Sequence, residues 1–280
     1  MIWPAEDLWL ALVAQQPGLT VEVLPEIDST NTELMRRARA GQTEPVLLVA
    51  ETQTAGRGRL GRPWHGDTGG ALTFSLGLML TPADWSGLSL AVGLSLAQSL
   101  DPQGALGVRL KWPNDLWVKC PDTPMGWGKL AGILIETAMP TGLRDGSDSG
   151  SAQAREQGQG QGQGRYCVVG VGINMAPPVA EGLSTAPLGL QDLQSGITAP
   201  EALMRVAEPL LATLLAFEHT GFAPLQQAFN ARDALHNLPV TLSDARHGIA
   251  RGVDATGAMR VETDKGLEAI SSAELSVRPL

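Results

Sequence analysis

Two cysteines, one tyrosine and four histidines are all that this 280-residue chain holds of three residue types that often carry chemistry. Cys120 and Cys167 cannot make a disulfide framework, and they read as reduced thiols of a cytoplasmic protein. His65, His219, His236 and His247 are scattered without metal-ligand spacing, and no convincing Ser/His/Asp or Cys/His set accompanies them. Long apolar runs are missing too. The longest, Leu88–Leu100, is too short to span a bilayer, contains Ser and Gln, and reads as a core helix. The first ten residues carry acids and no basic stretch, so no signal peptide is expected. Positive charge is scarce: 20 Lys and Arg against 29 Asp and Glu leave a formal net charge of −9. That balance opposes general affinity for nucleic acid, so any phosphate binding has to be local.

What is present has a clear order. "IDSTNTELMRRARAG" predicts a helix, with Thr30 and Glu33 spaced as a capping box and Gly41 as its stop. Val46–Gln53 and Ala71–Leu80 read as buried strands around a glycine-rich loop, Gly56–Gly70. Gly107–Val118 reads as two short strands about a Pro-Asn-Asp turn, and Lys129–Met139 and Tyr166–Met175 as two more strands. Between these last two, Pro140–Arg165 is rich in Gly, Gln and Ser, cannot bury enough surface to offset its ordering entropy, and is expected to be a disordered insertion. Pro200–His219 has helical periodicity, with Pro209 predicting a kink or two abutting helices, and a shorter helix is expected over Ala223–Ala234. From Leu238 onward, short alternating strands with turn signals suggest a small β-barrel-like module of about five strands. The expected division is a main domain over 1–235, with the 140–165 insertion, and a C-terminal module over 236–280.

The stretch "GRGRLGRPW" (Gly56–Trp64) spaces its glycines as G-x-G-x-x-G. A dinucleotide fingerprint needs a helix starting inside the glycines; here Pro63 and further glycines lead into a strand instead. A P-loop of Walker A spacing is absent. The arginines and Trp64 could contact phosphates and stack a base, or form an ordinary solvated loop. Four further polar motifs interrupt apolar strands: "STN" at Ser29–Asn31, "KWPND" at Lys111–Asp115, "KLAG" at Lys129–Gly132 and "GVGIN" at Gly170–Asn174. Gly170 and Gly172, two apart in a strand, face one side, where missing side chains mark close approach by a ligand or another backbone.

Taken together and in order, "DSTN" (Asp28–Asn31), "QTAGRGRLGRPW" (Gln53–Trp64), "KWPNDL" (Lys111–Leu116), "KLAGILIE" (Lys129–Glu136) and "VVGVGINM" (Val168–Met175) resemble the biotin protein ligases. The resemblance spans roughly Leu24 to Asn237, and the tail resembles that family's SH3-like module. It implies an α+β fold: a mixed, mainly antiparallel sheet packed with helices, of the class II aminoacyl-tRNA synthetase and biotin ligase kind, plus a small SH3-like β-barrel. It implies ATP with magnesium and biotin as substrates, formation of biotinyl-5′-AMP, and transfer to a lysine of a biotin carboxyl carrier protein. Lipoate or octanoate ligases on the same scaffold and a non-catalytic biotin or nucleotide sensor stand as alternatives. By the same resemblance Lys129 and Arg57 are the catalytic candidates. Ser29, Thr30, Asn31, Gln53, Gly56, Arg57, Gly58, Arg59, Lys129, Gly132, Gly170 and Gly172 would bind biotin. Arg57, Arg59, Arg62, Trp64, Asn114, Lys129 and Asn174 would bind ATP. Only 28 residues precede Ser29, too few for the winged-helix repressor domain of many relatives, so no nucleic-acid partner is expected; the short apolar runs give no reason to expect a membrane partner, and a homodimer stays open.

Overall fold

The structure, a computed structural model, describes residues 1–64, 66, 69–123, 125–139, 164–179, 185–271 and 277–279. The expected insertion over 140–165 lies almost wholly outside them. Among the described residues, twelve strands and six α-helices follow in order: α1 (Ala5–Val13), β1 (Thr20–Ile27), α2 (Thr30–Arg39), β2 (Val46–Gln53), β3 (Ala71–Leu80), α3 (Leu88–Leu100), β4 (Val108–Lys111), β5 (Asp115–Lys119), β6 (Trp127–Ala138), β7 (Arg165–Asn174), α4 (Leu190–Leu193), α5 (Ala199–Thr220), α6 (Gln226–Arg232), β8 (Pro239–Leu242), β9 (His247–Val253), β10 (Met259–Thr263), β11 (Gly266–Ile270) and β12 (Val277–Pro279). Seven strands form one sheet in the order β1-β2-β3-β7-β6-β5-β4, in which β1 and β2 pair parallel and all other neighbours antiparallel. The last five form a separate antiparallel sheet, β11-β10-β9-β8-β12. The expected mixed sheet and five-stranded tail are both there.

The period of two along each strand divides the large sheet into two chemically different faces. Leu47 and Val49 of β2, Phe74, Leu76 and Leu78 of β3, Val169, Val171 and Ile173 of β7 and Ile133 of β6 belong to the main core, together with residues of α1, α3 and α5. Helix α3 is apolar nearly all round, because α5 and the sheet enclose it. On the opposite face, α2 covers only one end, packing Leu34, Met35 and Ala38 on Val46, Leu48, Tyr166 and Val168. The rest of that face carries small and polar residues. The register aligns Thr73 with Gly172 and Gly132, and Ser75 with Gly170 and Leu134.

Several local expectations need correction. The N-cap of α2 is Ser29, which accepts from the Thr32 amide, so the Thr30–Glu33 capping box does not form. Thr30 is used elsewhere: its amide and hydroxyl both turn to Gln53. Helix α5 is a single element through Pro209, capped by a Thr198–Glu201 box. The helix expected over Ala223–Ala234 is a 3-10 turn, Ala223–Leu225, followed by α6. Helix α1 and strand β1 carry weak sequence signals and were not expected.

Side chains join the small sheet to the large one. The Trp112 indole, fully buried, donates from Nε1 to the Gly257 carbonyl at 3.1 Å. Gln226 and Asn230 donate to the Val253 carbonyl, and Asn230 accepts from its amide. Between the sheets lies Asp233, 8% exposed, whose Oδ1 accepts from the Leu235 amide while Oδ2 is buried without a partner. Burial pushes its pKa up to about 6, the Leu235 amide and His236 opposing. A carboxyl raised in the folded state weakens folding as pH rises from its ordinary value through the folded one, by at most about 3 kcal/mol. Asp233→Asn is therefore expected to gain stability over the parent between pH 4 and 6.5, with a flat difference outside that window. Denaturant melts of both proteins across that range check it, and a pH-independent difference would refute it.

Candidate functional site

The polar face of the sheet is the floor of a cleft of about 940 Å³, a volume suited to a small ligand. Its lining takes Ser29, Thr30 and Asn31 from the start of α2, Gln53 from the end of β2, the Arg57–Trp64 loop, Asn114, Lys129 and Gly132, and Gly170, Gly172 and Asn174 from β7. Of the predicted site residues, Gly56 alone does not line it. It is buried, and a Cβ there would stand 2.8 Å from the Trp64 carbonyl, so its smallness serves the close pairing of the loop's two ends.

That loop is a hairpin standing over the floor. The Trp64 amide donates to the Gly56 carbonyl at 2.9 Å, the Gly58 amide to the Arg62 carbonyl at 2.7 Å, and Arg57 bridges Pro63. A 3-10 turn, Arg59–Gly61, makes the reversal; no α-helix begins in the glycines, as the sequence implied. Leu60 takes a left-handed φ of 57° and is 80% exposed, so a residue that disfavours this conformation is held at the tip by its neighbours.

One end of the cleft is a network of short polar groups. Gln53 Oε1 accepts from the Thr30 amide at 2.7 Å and from the Thr30 hydroxyl at 3.1 Å. Asn31, 3% exposed, donates from Nδ2 to the Leu134 carbonyl at 3.1 Å and to Glu136 Oε2 at 3.0 Å. The Ser75 hydroxyl lies 2.6 Å from Asn31 Oδ1 and 2.7 Å from the Thr30 hydroxyl. Gly170 leaves room for this amide: a Cβ there would fall 2.1 Å from Asn31 Oδ1.

The other end is cationic. Lys129 Nζ stands 2.8 Å from Asp115 Oδ1, a charge contact without hydrogen-bond alignment, and 5.7 Å from the centre of the Trp64 ring. Strand pairing with 185–188 and the Asn174 amide, which donates to the Lys129 carbonyl at 3.0 Å, fix its backbone. Arg59 is half-buried near Asn114 Oδ1, at 3.5 Å; desolvation lowers its pKa while Asp115 opposes that. Arg57 reaches the other way, with Nε on the Thr32 hydroxyl at 3.1 Å and Nη2 on Glu136 at 3.0 Å. The Trp64 indole lies flat on the glycine floor: a Cβ at Gly172 would meet it at 2.4 Å and one at Gly132 at 3.1 Å. Its Nε1 is buried with no partner. The cleft thus joins a donor-and-acceptor end to a cationic end across a floor without side chains.

Sequence reasoning missed Thr73 and Ser75, and gave no role to Asp115 and Glu136, although both lie in the quoted motifs. The signal was available: in "ALTFSLGLML", Thr73, Ser75 and Gly77 recur at period two within an apolar strand, which places a polar row on one face. Thr241 and Leu242 of β8, with Ser243 just after it, also line the cleft, a contact between distant parts of the chain that no local pattern encodes. Among the described residues no group of three or more His, Cys, Asp or Glu could hold a metal ion. A magnesium ion arriving with a nucleotide would take most of its ligands from phosphates and water.

Residues 23–144 match the biotin/lipoate A/B protein ligase family, and residues 239–278 match the biotin protein ligase C-terminal domain. The bifunctional ligase/repressor BirA of Escherichia coli (strain K12) is 34% identical over 274 residues, covering 95% of this chain and 77% of its own. A biotin–[acetyl-CoA-carboxylase] ligase of Paracoccus denitrificans is 31% identical over 269 residues, covering 90% and 98%. The biotin protein ligase of Aquifex aeolicus, solved in complex with biotin and ATP, shares the fold with a TM-score of 0.70 at 24% identity, covering 93% of this chain and 99% of that one.

Proposed function

Because the chain belongs to the biotin protein ligase family, we propose a division of labour within the cleft that performs that family's two-step reaction. The protein is an ATP-dependent ligase. A biotin carboxylate oxygen attacks the α-phosphorus of ATP; pyrophosphate leaves and biotinyl-5′-AMP forms. A lysine amine of a biotin carboxyl carrier protein then attacks the acyl carbon, and AMP leaves with the amide formed.

The observation that carries the assignment is the pairing of two unlike ends over one bare floor. Ser29, Thr30, Asn31 and Gln53 offer the short hydroxyl and amide groups that a ureido ring requires. Gly132, Gly170 and Gly172 leave space for its flat bicycle. Arg57 and Gly58 take the carboxylate and the adenylate phosphate, with Arg59 and Arg62 ordering the loop around the phosphates. Lys129 bridges the carboxylate and α-phosphate oxygens and stabilises the charge that develops between them. Trp64 leaves the glycine floor to close over adenine, beside Asn114 and Asn174, and the loop shields an acyl-adenylate that water would hydrolyse. The division into a catalytic domain over 1–235 and a C-terminal module over 236–280 belongs to this reading, supported by the two separate sheets. Both cysteines are free, which suits a reducing cytoplasm, and burial pushes the Cys167 thiol up to about 12, leaving it unreactive. No helix among the described residues is long and apolar enough to cross a membrane.

Incubated with biotin and Mg·ATP, the purified protein is expected to release pyrophosphate and retain biotinyl-5′-AMP by mass spectrometry. Adding a carrier domain is then expected to move biotin onto a single lysine and release AMP. Failure to form either pyrophosphate or bound adenylate would overturn the reading. Activation of octanoate or lipoate in place of biotin would redirect it to the sister activity.

A further inference from the structure

We propose that Glu136 is a positioning residue of the biotin site: it ties the amide that meets the ring to the arginine that meets the carboxylate. The inference rests on the biotin reading above. Glu136 does not itself line the cleft. It stands on β6 in register with Val168, one strand step beyond the glycine row, with its side chain 25% exposed.

From there one carboxylate serves two residues from different elements. Its Oε2 accepts from Asn31 Nδ2 at 3.0 Å and from Arg57 Nη2 at 3.0 Å, and its Oε1 is 3.2 Å from the same Nη2. Asn31 belongs to α2, at the polar end of the cleft. Arg57 belongs to the loop, and its side chain is 42% exposed. Besides the Thr32 hydroxyl on its Nε, the charged acceptor Glu136 restricts the rotamers of a guanidinium so exposed.

The same contact decides which way the Asn31 amide points. With Nδ2 held by Glu136 and the Leu134 carbonyl, Oδ1 must turn to the Ser75 hydroxyl and the Gly170 notch. A flipped amide would set its oxygen against two acceptors. Glu136 therefore presents Asn31 in one orientation and keeps Arg57 alongside, with guanidinium donors left over for a ligand. An acid beside a site for two anions is otherwise unfavourable. Its placement behind Arg57, outside the lining, lets it orient the arginine without meeting the ligand.

The test compares Glu136→Ala and the isosteric Glu136→Gln with the parent, using biotin, Mg·ATP and pyrophosphate release. Glu136→Ala is expected to raise KM for biotin about tenfold or more, the scale of losing a hydrogen bond to a charged group, while KM for ATP rises clearly less, because Arg57 also meets the adenylate phosphate but Asn31 meets biotin alone. Glu136→Gln can still accept from Asn31 but cannot pair the arginine charge, so its KM for biotin is expected between the two. Combining Glu136→Gln with Asn31→Ala is expected to cost less than the sum of the single changes, because the second removes a partner already mispositioned. A biotin KM within twofold of the parent in Glu136→Ala, an equal rise for ATP, or strict additivity in the cycle would overturn the proposal. Melting temperatures taken in parallel identify a variant that fails to fold, in which case the isosteric variant and the cycle decide. Loss of this effect in an enzyme that still makes biotinyl-5′-AMP refutes Glu136 alone; a parent that makes none refutes the biotin reading.

Discussion

Lys129→Ala is expected to slow formation of biotinyl-5′-AMP by about 100-fold or more, the usual scale of losing one preorganised charge from a reacting centre. The ammonium is the cation best placed over the floor: its Nζ stands 3.3 Å from where a Gly132 Cβ would be. It is held by Asp115 at 2.8 Å, and its backbone is fixed by pairing with Ala186 and Leu188. A group fixed before the ligands arrive spends little reorganisation as the carboxylate oxygen and α-phosphate converge. Lys129→Arg is expected to recover only part of the rate, since a planar fork cannot put a point charge at the same place. Measured by single-turnover pyrophosphate release, the loss should fall mainly on the rate and less on biotin KM, because the polar end that receives the ring is untouched. Turnover near that of the parent in Lys129→Ala would remove the residue from the catalytic role.

The parts of this molecule that could be read from the chain are those where local chemistry and final position agree. Strands β2, β3, β6 and β7 are apolar runs bounded by breakers, and they form close to where the pattern puts them. The glycines of β7 were legible because two missing side chains in an apolar strand need an external reason. Helix α1 and strand β1 were not, because their burial depends on α5 and β2 rather than on a strong pattern of their own. The capping of α2 slipped by one residue for a related reason. Thr30 has the right chemistry for a cap, but Gln53, 23 positions away, takes its amide and hydroxyl, and Ser29 caps instead. The same holds within the cleft. Motif residues were visible one by one, whereas Ser75 and Glu136 matter through partners on other strands and on α2, which only the sheet register supplies.

Alanine at the floor glycines is expected to separate folding from binding. At Gly170 an added Cβ would fall 2.1 Å from Asn31 Oδ1 and 2.7 Å from its Cγ. That amide cannot retreat, because Leu134, Glu136 and Ser75 all hold it and it is 3% exposed. Gly170→Ala must therefore expel Asn31 or shift β7, costing about 1–3 kcal/mol of stability as core overpacking does. Biotin affinity is expected to fall about 100-fold, since the displaced amide leaves both its own partners and the ring unpaired. At Gly172 the three atoms nearest the added methyl all belong to the Trp64 ring, the first at 2.4 Å. This ring belongs to a partly exposed loop that can move aside, so Gly172→Ala is expected to melt within a few degrees of the parent. Biotin binding should still be lost, because the methyl stands where the flat bicycle must lie. At Gly132 the nearest atoms are 3.1 Å and 3.3 Å away, in the Trp64 ring and the Lys129 ammonium, distances relieved by shifts of a few tenths of an ångström, and the expected loss of affinity is the smallest of the three. Thermal melts with calorimetric biotin titrations on the three variants check this order. Equal melting losses at Gly170 and Gly172, or normal biotin affinity in Gly172→Ala, would show that the glycine floor serves packing rather than the ligand.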